Sequence, residues 1–315
     1  MKNLIATFVM GLGVSGVMQG GEPPLQQAEW GAIDRVKVWS PEMQEEVTVD
    51  IWVPDSAYLA GPSATAATSL AKLPVIYMHD GQNLFDATTT WNGQSWEVDR
   101  MMERLVGSGM ARPAIVVGVH SDSGKRVAEL MPTKAVVNAG LDSLLNEVKL
   151  KGVPPYGDEY AAFLVKTLKP YVDARYNTDP SPVSTTVAGS SMGGLMSLYA
   201  LCEYPETFGN ALCLSTHWSG SPAIKDLFAG ALYDYASAYI PMPTGEGYRR
   251  KLYFDHGTTT IDADYGPYEE RVLEMVRQKG YDERSLASYV DEGAAHEENA
   301  WARRLWRPLL FLLGL

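Results

Sequence analysis

Short apolar segments that alternate with helical patterns constrain the fold of this chain more than any other feature of its sequence. Five of them are apolar along almost their whole length, which predicts strands buried on both faces of a sheet. Alternation of such strands with helices is typical of a parallel sheet covered by helices on both sides. The five segments are residues 73–78, 114–120, 183–188, 210–215 and 251–254, and a sixth strand is predicted at 286–290, before a closing helix.

The first part of the chain has a different pattern, in which apolar and polar residues alternate. Residues 32–39 and 47–53 follow it, with Val47 and Val49 on one face and Asp50 on the other. A short polar link joins the two runs, which predicts an antiparallel pair. Two hairpin strands followed by six parallel strands give a mostly parallel eight-stranded sheet with helices on both faces. This is the strand order of the α/β-hydrolase fold, so the predicted fold class is α/β.

The charge balance of the chain is acidic. It has a formal net charge of -12, and its longest basic run is Arg249, Arg250 and Lys251. Such a chain repels phosphate backbones and anionic lipid surfaces, so nucleic acid is excluded as a partner. The length and apolar content suit one domain at residues 29–315. Loop insertions near 121–158 and 217–247 follow strand ends and are predicted to form the walls and lid of a substrate site. The alternative is that they are ordinary solvated insertions.

The amino terminus has the layout of a secretory signal peptide. Met1 and Lys2 precede an almost uninterrupted apolar run at residues 4–18, and Gly20 and Gly21 then begin a polar break. We expect a signal peptide over residues 1–20 and a secreted or periplasmic protein. The run is shorter than the roughly 20 residues of a membrane span, so no span is expected. The alternative is an N-terminal strand or helix buried in the domain.

A Gly-x-Ser-x-Gly pentapeptide, from Gly189 to Gly193, joins a predicted strand to a predicted helix. A serine that attacks a carbonyl must project from a sharp turn, which small residues two positions before and after it permit. The strand at 183–188 and the helical pattern at 194–202 supply the context that this turn requires. Ser191 is therefore a candidate nucleophile. The alternative is an ordinary turn whose glycines only allow close packing.

A serine nucleophile needs a histidine to take its proton and an acid to hold that histidine in the right tautomer. The order along an α/β-hydrolase chain is serine, acid, histidine, and this order selects His296, in the loop before the closing helix. The loop after the fifth apolar segment offers Asp255, Asp262 and Asp264. Asp255 lies too close to the sheet, and we favour Asp262 over Asp264. The unused acids are expected to cap the helix that begins near Pro267.

The oxyanion that forms during acyl transfer needs two preorganised N–H donors. One is expected from Met192, directly after the nucleophile, and the other from Gln82, in the loop after the first of the parallel strands. Gly81 is expected to let that loop turn. The alternative for this segment is a simple turn that ends the strand, which its Asp80–Gly81 pair also fits.

The remaining chemistry-bearing residues are few. Trp96 and Trp218 are candidate substrate-binding residues, with a place in the core as the alternative. Cys202 and Cys213 are expected to be two buried thiols, with a disulfide as the alternative. No pair of histidines has ligand spacing and the aspartates are dispersed, so neither a metal nor a cofactor is expected.

Taken together, the motifs resemble the Putative esterase family of α/β hydrolases, which includes the esterase D, enterochelin esterase, feruloyl and acetyl xylan esterase, and mycolyltransferase groups. The resemblance implies a triad of Ser191, Asp262 and His296, with the amides of Gln82 and Met192 as the oxyanion hole. Besides Trp96, it is carried by MHDGQNLFD at 78–86, VAGSSMGG at 187–194, YPETFG at 204–209, FDHGTTTIDADYGPY at 254–268 and HEENAWARRL at 296–305.

The predicted activity is that of a serine carboxylesterase, which cleaves its substrate through an acyl-enzyme on Ser191. The expected substrate is a small-molecule or carbohydrate-linked ester. Acyl transfer to an alcohol and thioester hydrolysis use the same triad and are alternatives. A non-catalytic binding protein on a hydrolase scaffold is an alternative of another class, but it predicts a damaged triad, and none is visible in the sequence.

Overall fold

An eight-stranded sheet forms the centre of the molecule. The computed structural model describes residues 31–55, 71–141, 153–220, 224–245 and 247–315, so the predicted signal peptide lies outside the described residues. The strands of the sheet, numbered in chain order, are β1 (Gly31–Ser40), β2 (Glu45–Pro54), β3 (Val75–His79), β4 (Ile115–Val119), β5 (Thr185–Ser190), β6 (Asn210–Leu214), β7 (Lys251–Gly257) and β8 (Leu286–Asp291).

The strand order across the sheet is β1-β2-β4-β3-β5-β6-β7-β8. Strand β2 is antiparallel to both β1 and β4, whereas all the pairings among β3 to β8 are parallel. The predicted eight-stranded, mostly parallel α/β sheet is thus confirmed. The chain leaves β3 for β4 on one side and later returns to place β5 on the other. This reversal creates a crevice at the carboxyl end of β3, where such sheets bind ligands.

Helices cover the two faces of the sheet. None of the helices in the described parts of the chain is long and apolar enough to cross a membrane. A π-helical segment, Leu164–Leu168, joins the helices Gly157–Phe163 and Lys169–Asp173. The helices are α1 (Val98–Gly107), α2 (Arg126–Glu129), α3 (Thr133–Asn138), α4 (Gly157–Phe163), α5 (Lys169–Asp173), α6 (Met192–Glu203), α7 (Lys225–Tyr239), α8 (Gly266–Gln278), α9 (Glu298–Arg304) and α10 (Trp306–Leu313).

Two hydrophobic clusters lie on opposite faces of the sheet, because successive strand residues point to opposite sides. Val75 and Tyr77 of β3 belong to the cluster that includes residues of α4, α6, α7 and α8. Ile76 and Met78 belong to the other, with residues of α1 and α10. All these side chains are almost fully buried, which explains why the central strands read as continuous apolar runs. Both cysteines are free and buried, as predicted.

Candidate active site

Ser191 stands on a sharp turn between β5 and α6. Its backbone has φ 58° and ψ -122°, a region that residues with a side chain rarely occupy. The Ser191 N–H donates to the Leu214 carbonyl at 3.0 Å, and the Ser191 carbonyl accepts from the Leu195 and His217 N–H groups. Hydrogen bonds on both sides of the residue therefore hold the strained backbone in place.

The two glycines of the pentapeptide allow strand β5 and helix α6 to approach each other. A Cβ atom at Gly189 would lie 3.0 Å from the Cα atom of Gly193 and 2.9 Å from Cδ2 of His79. A Cβ atom at Gly193 would lie 3.2 Å from the His79 Cβ atom. Any side chain at these positions would push the turn away from β3, so the glycines have a packing role that goes beyond permitting the turn.

His296 is hydrogen-bonded to Asp262, the acid favoured by the sequence. The His296 Nδ1 and Asp262 Oδ1 atoms are 2.5 Å apart. The imidazole lies between two aromatic rings, Tyr265 and Trp301, both edge to face, with centroid distances of 5.9 and 5.0 Å. Because Nδ1 faces the carboxylate, its proton is directed there and Nε2 is left as the basic nitrogen.

Threonine side chains join the loop that carries Asp262 to the loop that carries His296. The Thr258 hydroxyl accepts from the Gly293 N–H at 2.8 Å, and the Thr260 hydroxyl accepts from the His296 N–H at 2.9 Å. The Thr259 hydroxyl donates to the Ala294 carbonyl at 2.9 Å. These bonds hold the two loops together, so the contact between acid and histidine does not depend on their own hydrogen bond alone.

The Asp262 carboxylate is fully buried and accepts three hydrogen bonds. Beyond His296, its Oδ2 atom accepts from the Ser215 hydroxyl at 2.5 Å and from the Gly257 N–H at 2.7 Å. Burial by itself raises the pKa of a carboxyl group, but the His296 hydrogen bond and charge and these two donors outweigh it. The pKa of Asp262 therefore lies below its ordinary value, and the group is ionised at neutral pH.

The other two candidate acids have different positions. Asp255 lies inside β7 and pairs with the Arg304 guanidinium at 2.9 Å, in a site buried from solvent. Asp264 is exposed at the end of the turn that carries Asp262. The prediction that the unused acids cap the next helix is wrong, because the residue before α8 is Tyr265 and no side chain bonds to that helix end.

The four other histidines each have a partner of their own. His120 is bonded to Asp50, His217 to Tyr265, and His256 to Glu269. His79 lies against Tyr160 with Nδ1 2.8 Å from the phenol oxygen, and burial lowers its pKa to about 4. His79 is therefore neutral at physiological pH.

The segment after β3 forms a tight turn beside Ser191. Asp80 has φ 57°, so the left-handed residue of this turn is Asp80 rather than the glycine after it. Gly81 is needed for a different reason, because a Cβ atom there would lie 2.4 Å from the carbonyl carbon of Gly118 in β4. Gln82 lies in the short 3-10 helix that follows. Met192 is the first residue of α6, where backbone N–H groups have no partner inside the helix.

A charged clamp fixes this turn. The Arg126 guanidinium donates to both carboxylate oxygens of Asp80, at 2.6 and 2.7 Å, and the Ser121 hydroxyl donates to Asp80 at 2.6 Å. The Gln82 side chain in turn donates to the Ser121 hydroxyl and accepts from the Ser121 N–H. Burial raises the pKa of Asp80, but the charge and hydrogen bonds of Arg126 outweigh it, so that the net shift is downward.

Ser191, His296 and Gln82 all line one cavity of about 800 Å³. Most of its lining residues have polar side chains, and tryptophans complete the wall. The Glu298 carboxylate accepts from the side-chain amides of Asn83 and Asn92, at 3.3 and 2.7 Å. Other lining residues include Arg126, Gln94, Glu297, Trp91 and Trp301.

The tryptophans predicted to bind substrate differ in position. Trp96 lines the Ser191 cavity although only 3% of it is exposed. Trp218 is 1% exposed and packs in the core against Phe254, so it is absent from the described lining of this cavity. Its place in the core reflects the ordinary fate of a large aromatic side chain. Trp91, by contrast, lines the cavity and is 85% exposed.

Comparison with known proteins decides the family. The model of the Putative esterase family matches residues 40–311 of the chain. The chain belongs to this family. This esterase is 23% identical to the endo-1,4-beta-xylanase/feruloyl esterase of Xylanibacter ruminicola over 276 residues, which are 87% of this chain and 30% of that protein.

Solved structures show the same fold. A ferulic acid esterase has a TM-score of 0.62 at 17% identity, with 90% of this chain and 98% of that chain covered. The enterobactin esterase of Shigella flexneri also has a TM-score of 0.62, at 16% identity, with 93% of this chain and 60% of that chain covered. The esterase therefore has the α/β-hydrolase fold, and its family indicates ester hydrolysis.

Several residues of the esterase's cavity are not apparent from its sequence. The first predicted insertion supplies Ser121, Ser123 and Arg126, but the second, at 217–247, supplies none of the described lining residues. Instead, the segment between β3 and α1 forms a wall with Trp91, Asn92 and Gln94. In the sequence, this wall is indicated only by the position of its segment after β3, which is also the position that suggested the oxyanion turn.

Proposed function

We propose that this esterase cleaves carboxylic esters through an acyl-enzyme on Ser191, with His296 as general base and Asp262 as the acid that orients it. The observation that carries the proposal is the 2.5 Å bond between His296 and Asp262, in a cavity lined by both His296 and Ser191. The strained turn at Ser191, which is typical of an exposed nucleophile, supports the same role.

In the proposed mechanism, the Ser191 oxygen attacks the ester carbonyl carbon while His296 Nε2 takes the hydroxyl proton. The carbonyl π electrons move to the oxygen, and the N–H groups of Gln82 and Met192 stabilise that oxyanion. Collapse of the tetrahedral intermediate expels the alcohol, which receives the proton from His296. Water then attacks the acyl-enzyme by the same steps, and the carboxylic acid leaves.

The cavity favours a neutral ester over an anionic one. Two carboxylates, Glu297 and Glu298, lie in its wall and are bonded to amides rather than to cations. The cationic lining residue Arg126 is already paired with Asp80. A related protein named above is a feruloyl esterase, and an uncharged ester of the feruloyl type fits such a wall.

The test of the triad is a set of single substitutions assayed on a short p-nitrophenyl ester. We expect Ser191→Ala and His296→Ala each to lower kcat/KM by about a thousandfold or more, because the residues act as a unit. Asp262→Asn should be nearly as damaging, whereas Asp264→Asn, its matched control in the same turn, should leave the rate close to that of the unmodified enzyme. Full activity of Ser191→Ala, or a severe effect of Asp264→Asn with a mild effect of Asp262→Asn, would contradict the assignment.

We further propose that the chain is one catalytic domain over residues 29–315, exported with removal of its amino-terminal segment. The basic start and the apolar run of residues 4–18 support export. N-terminal sequencing of the protein recovered from the culture medium or periplasm tests this. A new amino terminus near residue 20 is the expected result, and an intact Met1 on protein found only in the cytoplasm would overturn it.

A further inference from the structure

Ser215, which directly follows β6, is the centre of a buried hydrogen-bond network behind the candidate triad. The residue is fully buried, and its hydroxyl lies 2.5 Å from Asp262 Oδ2, 3.0 Å from Trp301 Nε1 and 2.7 Å from Arg304 Nη2. Its backbone φ is 39°, in the left-handed region that residues other than glycine seldom adopt. A strained, buried serine with three polar partners is an unusual arrangement for a residue that only fills space.

The chemistry of the partners fixes the direction of every hydrogen bond in this network. An indole N–H and a guanidinium N–H can only donate, so both must donate to the Ser215 oxygen. The hydroxyl has a single proton, which is then left for Asp262. Asp262 must accept it, and its Oδ2 atom also accepts from the Gly257 N–H.

This direction continues to the histidine. The Oδ2 atom of Asp262 already accepts two hydrogen bonds, and the pKa of Asp262 lies below its ordinary value, so the carboxylate is ionised and its Oδ1 atom accepts the Nδ1 proton of His296. The neutral His296 is thereby held as the tautomer whose Nε2 is free to take a proton. Trp301 adds a second constraint, because its ring packs edge to face on His296 while its N–H donates to Ser215.

Arg304 is itself fixed from behind. Its guanidinium donates to Asp255 Oδ1 at 2.9 Å and is 3.5 Å from Asp291 Oδ2, and only 2% of its side chain is exposed. Both Trp301 and Arg304 belong to helix α9, while Asp255 lies in β7. The network thus links the closing helix to the sheet through the Ser215 hydroxyl, which donates to Asp262.

We propose that Ser215 is a positioning residue for the reaction, which sets the proton pattern of the Asp262–His296 pair with the help of Trp301 and Arg304. The role rests on the proposed function of Ser191, Asp262 and His296. Ser215 does not line the cavity, so it acts through Asp262 rather than on the substrate.

The first test is Ser215→Ala. Removing the hydroxyl takes one of three donors from Asp262 and leaves the N–H groups of Trp301 and Arg304 without their shared acceptor. We expect kcat to fall by about 10-fold to 100-fold with KM changed less than about twofold, because the substrate cavity is not touched. Ser184→Ala is the matched control, since Ser184 is also a buried serine whose hydroxyl donates to a carboxylate, Asp179, at 2.6 Å. It lies before β5, at the opposite end of that strand from Ser191, and should leave kcat unchanged.

The second test is a double-mutant cycle with Asp262→Asn. If Ser215 acts through Asp262, its removal should lower kcat much less in the Asp262→Asn enzyme than in the unmodified one. Equal losses in both backgrounds, or an unchanged kcat in Ser215→Ala, would overturn the proposal. If Ser215→Ala does not fold, Trp301→Phe replaces it in the cycle. That change removes one donor and keeps a ring beside His296, and a kcat loss of about threefold or more that disappears in Asp262→Asn is then expected.

Failure of the proposed function is recognised separately. If Ser191→Ala or His296→Ala retains activity, the triad is wrong whatever Ser215 does. If both are inactive and the cycle is additive, the triad stands and the role of Ser215 is wrong.

Discussion

At the scale of single residues, the most unusual buried acid is Glu129, the last residue of α2. Only 3% of it is exposed, and its Oε2 atom has no hydrogen-bond partner among the described residues. Burial, aided by the nearby charges of Asp80 and Glu45, raises the pKa of Glu129 to about 8. A carboxyl group with such a pKa is mostly protonated in the folded protein at neutral pH.

Glu129 should therefore make the esterase less stable as the pH rises. The pKa of Glu129 in the folded protein is above its value of 4.5 in the unfolded chain, so the unfolded chain releases this proton at a lower pH. The contribution of Glu129 to stability is therefore fully present below pH 4.5 and is lost as the pH rises through about 8. Glu129→Gln should remove this loss. Relative to the parent enzyme, the unfolding free energy of Glu129→Gln should be only slightly higher at pH 5 and higher by on the order of 3 kcal/mol at pH 8.

Urea denaturation across this pH range measures the effect. Glu270→Gln, at an exposed acid of α8, is the control and should show no such dependence. A difference between Glu129→Gln and the parent enzyme that stays constant with pH would contradict the prediction.

Residues of the candidate site were predictable to different degrees. Ser191 and His296 belong to local motifs, and chain order placed Asp262 between them. Ser215 and Arg304 are 89 positions apart and meet only because β6 and α9 pack together, so no local pattern marks their contact. Trp218 shows the opposite case, in which a residue type suited to ligands is used in the core.

At the scale of elements, the turn after β3 depends on its clamp. Arg126→Met would leave the Asp80 carboxylate without its cation, in a site where only 8% of that side chain is exposed. We expect a loss of about 2–4 kcal/mol in unfolding free energy. Because the clamp also holds Ser121 and Gln82, kcat should fall about 10-fold to 100-fold in the protein that remains folded.

Arg100→Met is the matched control for the clamp. Arg100 is paired with Glu97 on the surface of α1, where both side chains are largely exposed. Such a pair contributes less than about 1 kcal/mol, and its loss should not alter kcat. The role assigned to the clamp is wrong if the two arginine variants have the same stability and the same kcat.

Element ends were harder to predict than elements. The strand predicted at 251–254 is shorter than the strand in the structure. Strand β7 continues through Asp255 and His256, whose polar side chains are buried against Arg304 and Glu269. Composition indicates where a strand is apolar, but a strand can continue wherever its polar side chains find buried partners. The prediction that the unused acids cap α8 was wrong for a related reason. Asp255 pairs with Arg304, which is distant in the sequence, and Asp264 is exposed.

At the scale of the whole molecule, charge should decide which esters reach Ser191. The chain has a net charge of -12, and two of its acidic residues, Glu297 and Glu298, lie in the cavity wall. For two esters of equal size, one neutral and one carrying a carboxylate, we expect the anionic one to have a kcat/KM lower by about 10-fold or more at low salt. Salt should reduce this difference, because it screens charges over about 10 Å at 0.1 M.

Steady-state assays of the matched pair at low and high ionic strength measure this. Glu297→Gln should narrow the difference while leaving the neutral ester nearly unaffected. A cavity that hydrolyses both esters equally at low salt would contradict the electrostatic argument.

The topology of the sheet was predictable because each strand is either continuous or alternating in polarity. The walls of the cavity could not be predicted from the sequence. They depend on how the 83–96 segment crosses the end of the sheet, and no pattern within that segment indicates this path. Chain order thus predicted where the site lies, and packing determined its shape.

The backbone conformation at Ser191 also has a consequence for how variants of this esterase are selected. Glycine adopts φ 58° and ψ -122° without strain, so Ser191→Gly should fold to a protein that is about 1–2 kcal/mol more stable, as measured by denaturation, yet lacks the proposed nucleophile. Selection for expression or heat resistance alone would therefore enrich inactive molecules at this position. Serine at position 191 is therefore expected to persist only where selection acts on turnover.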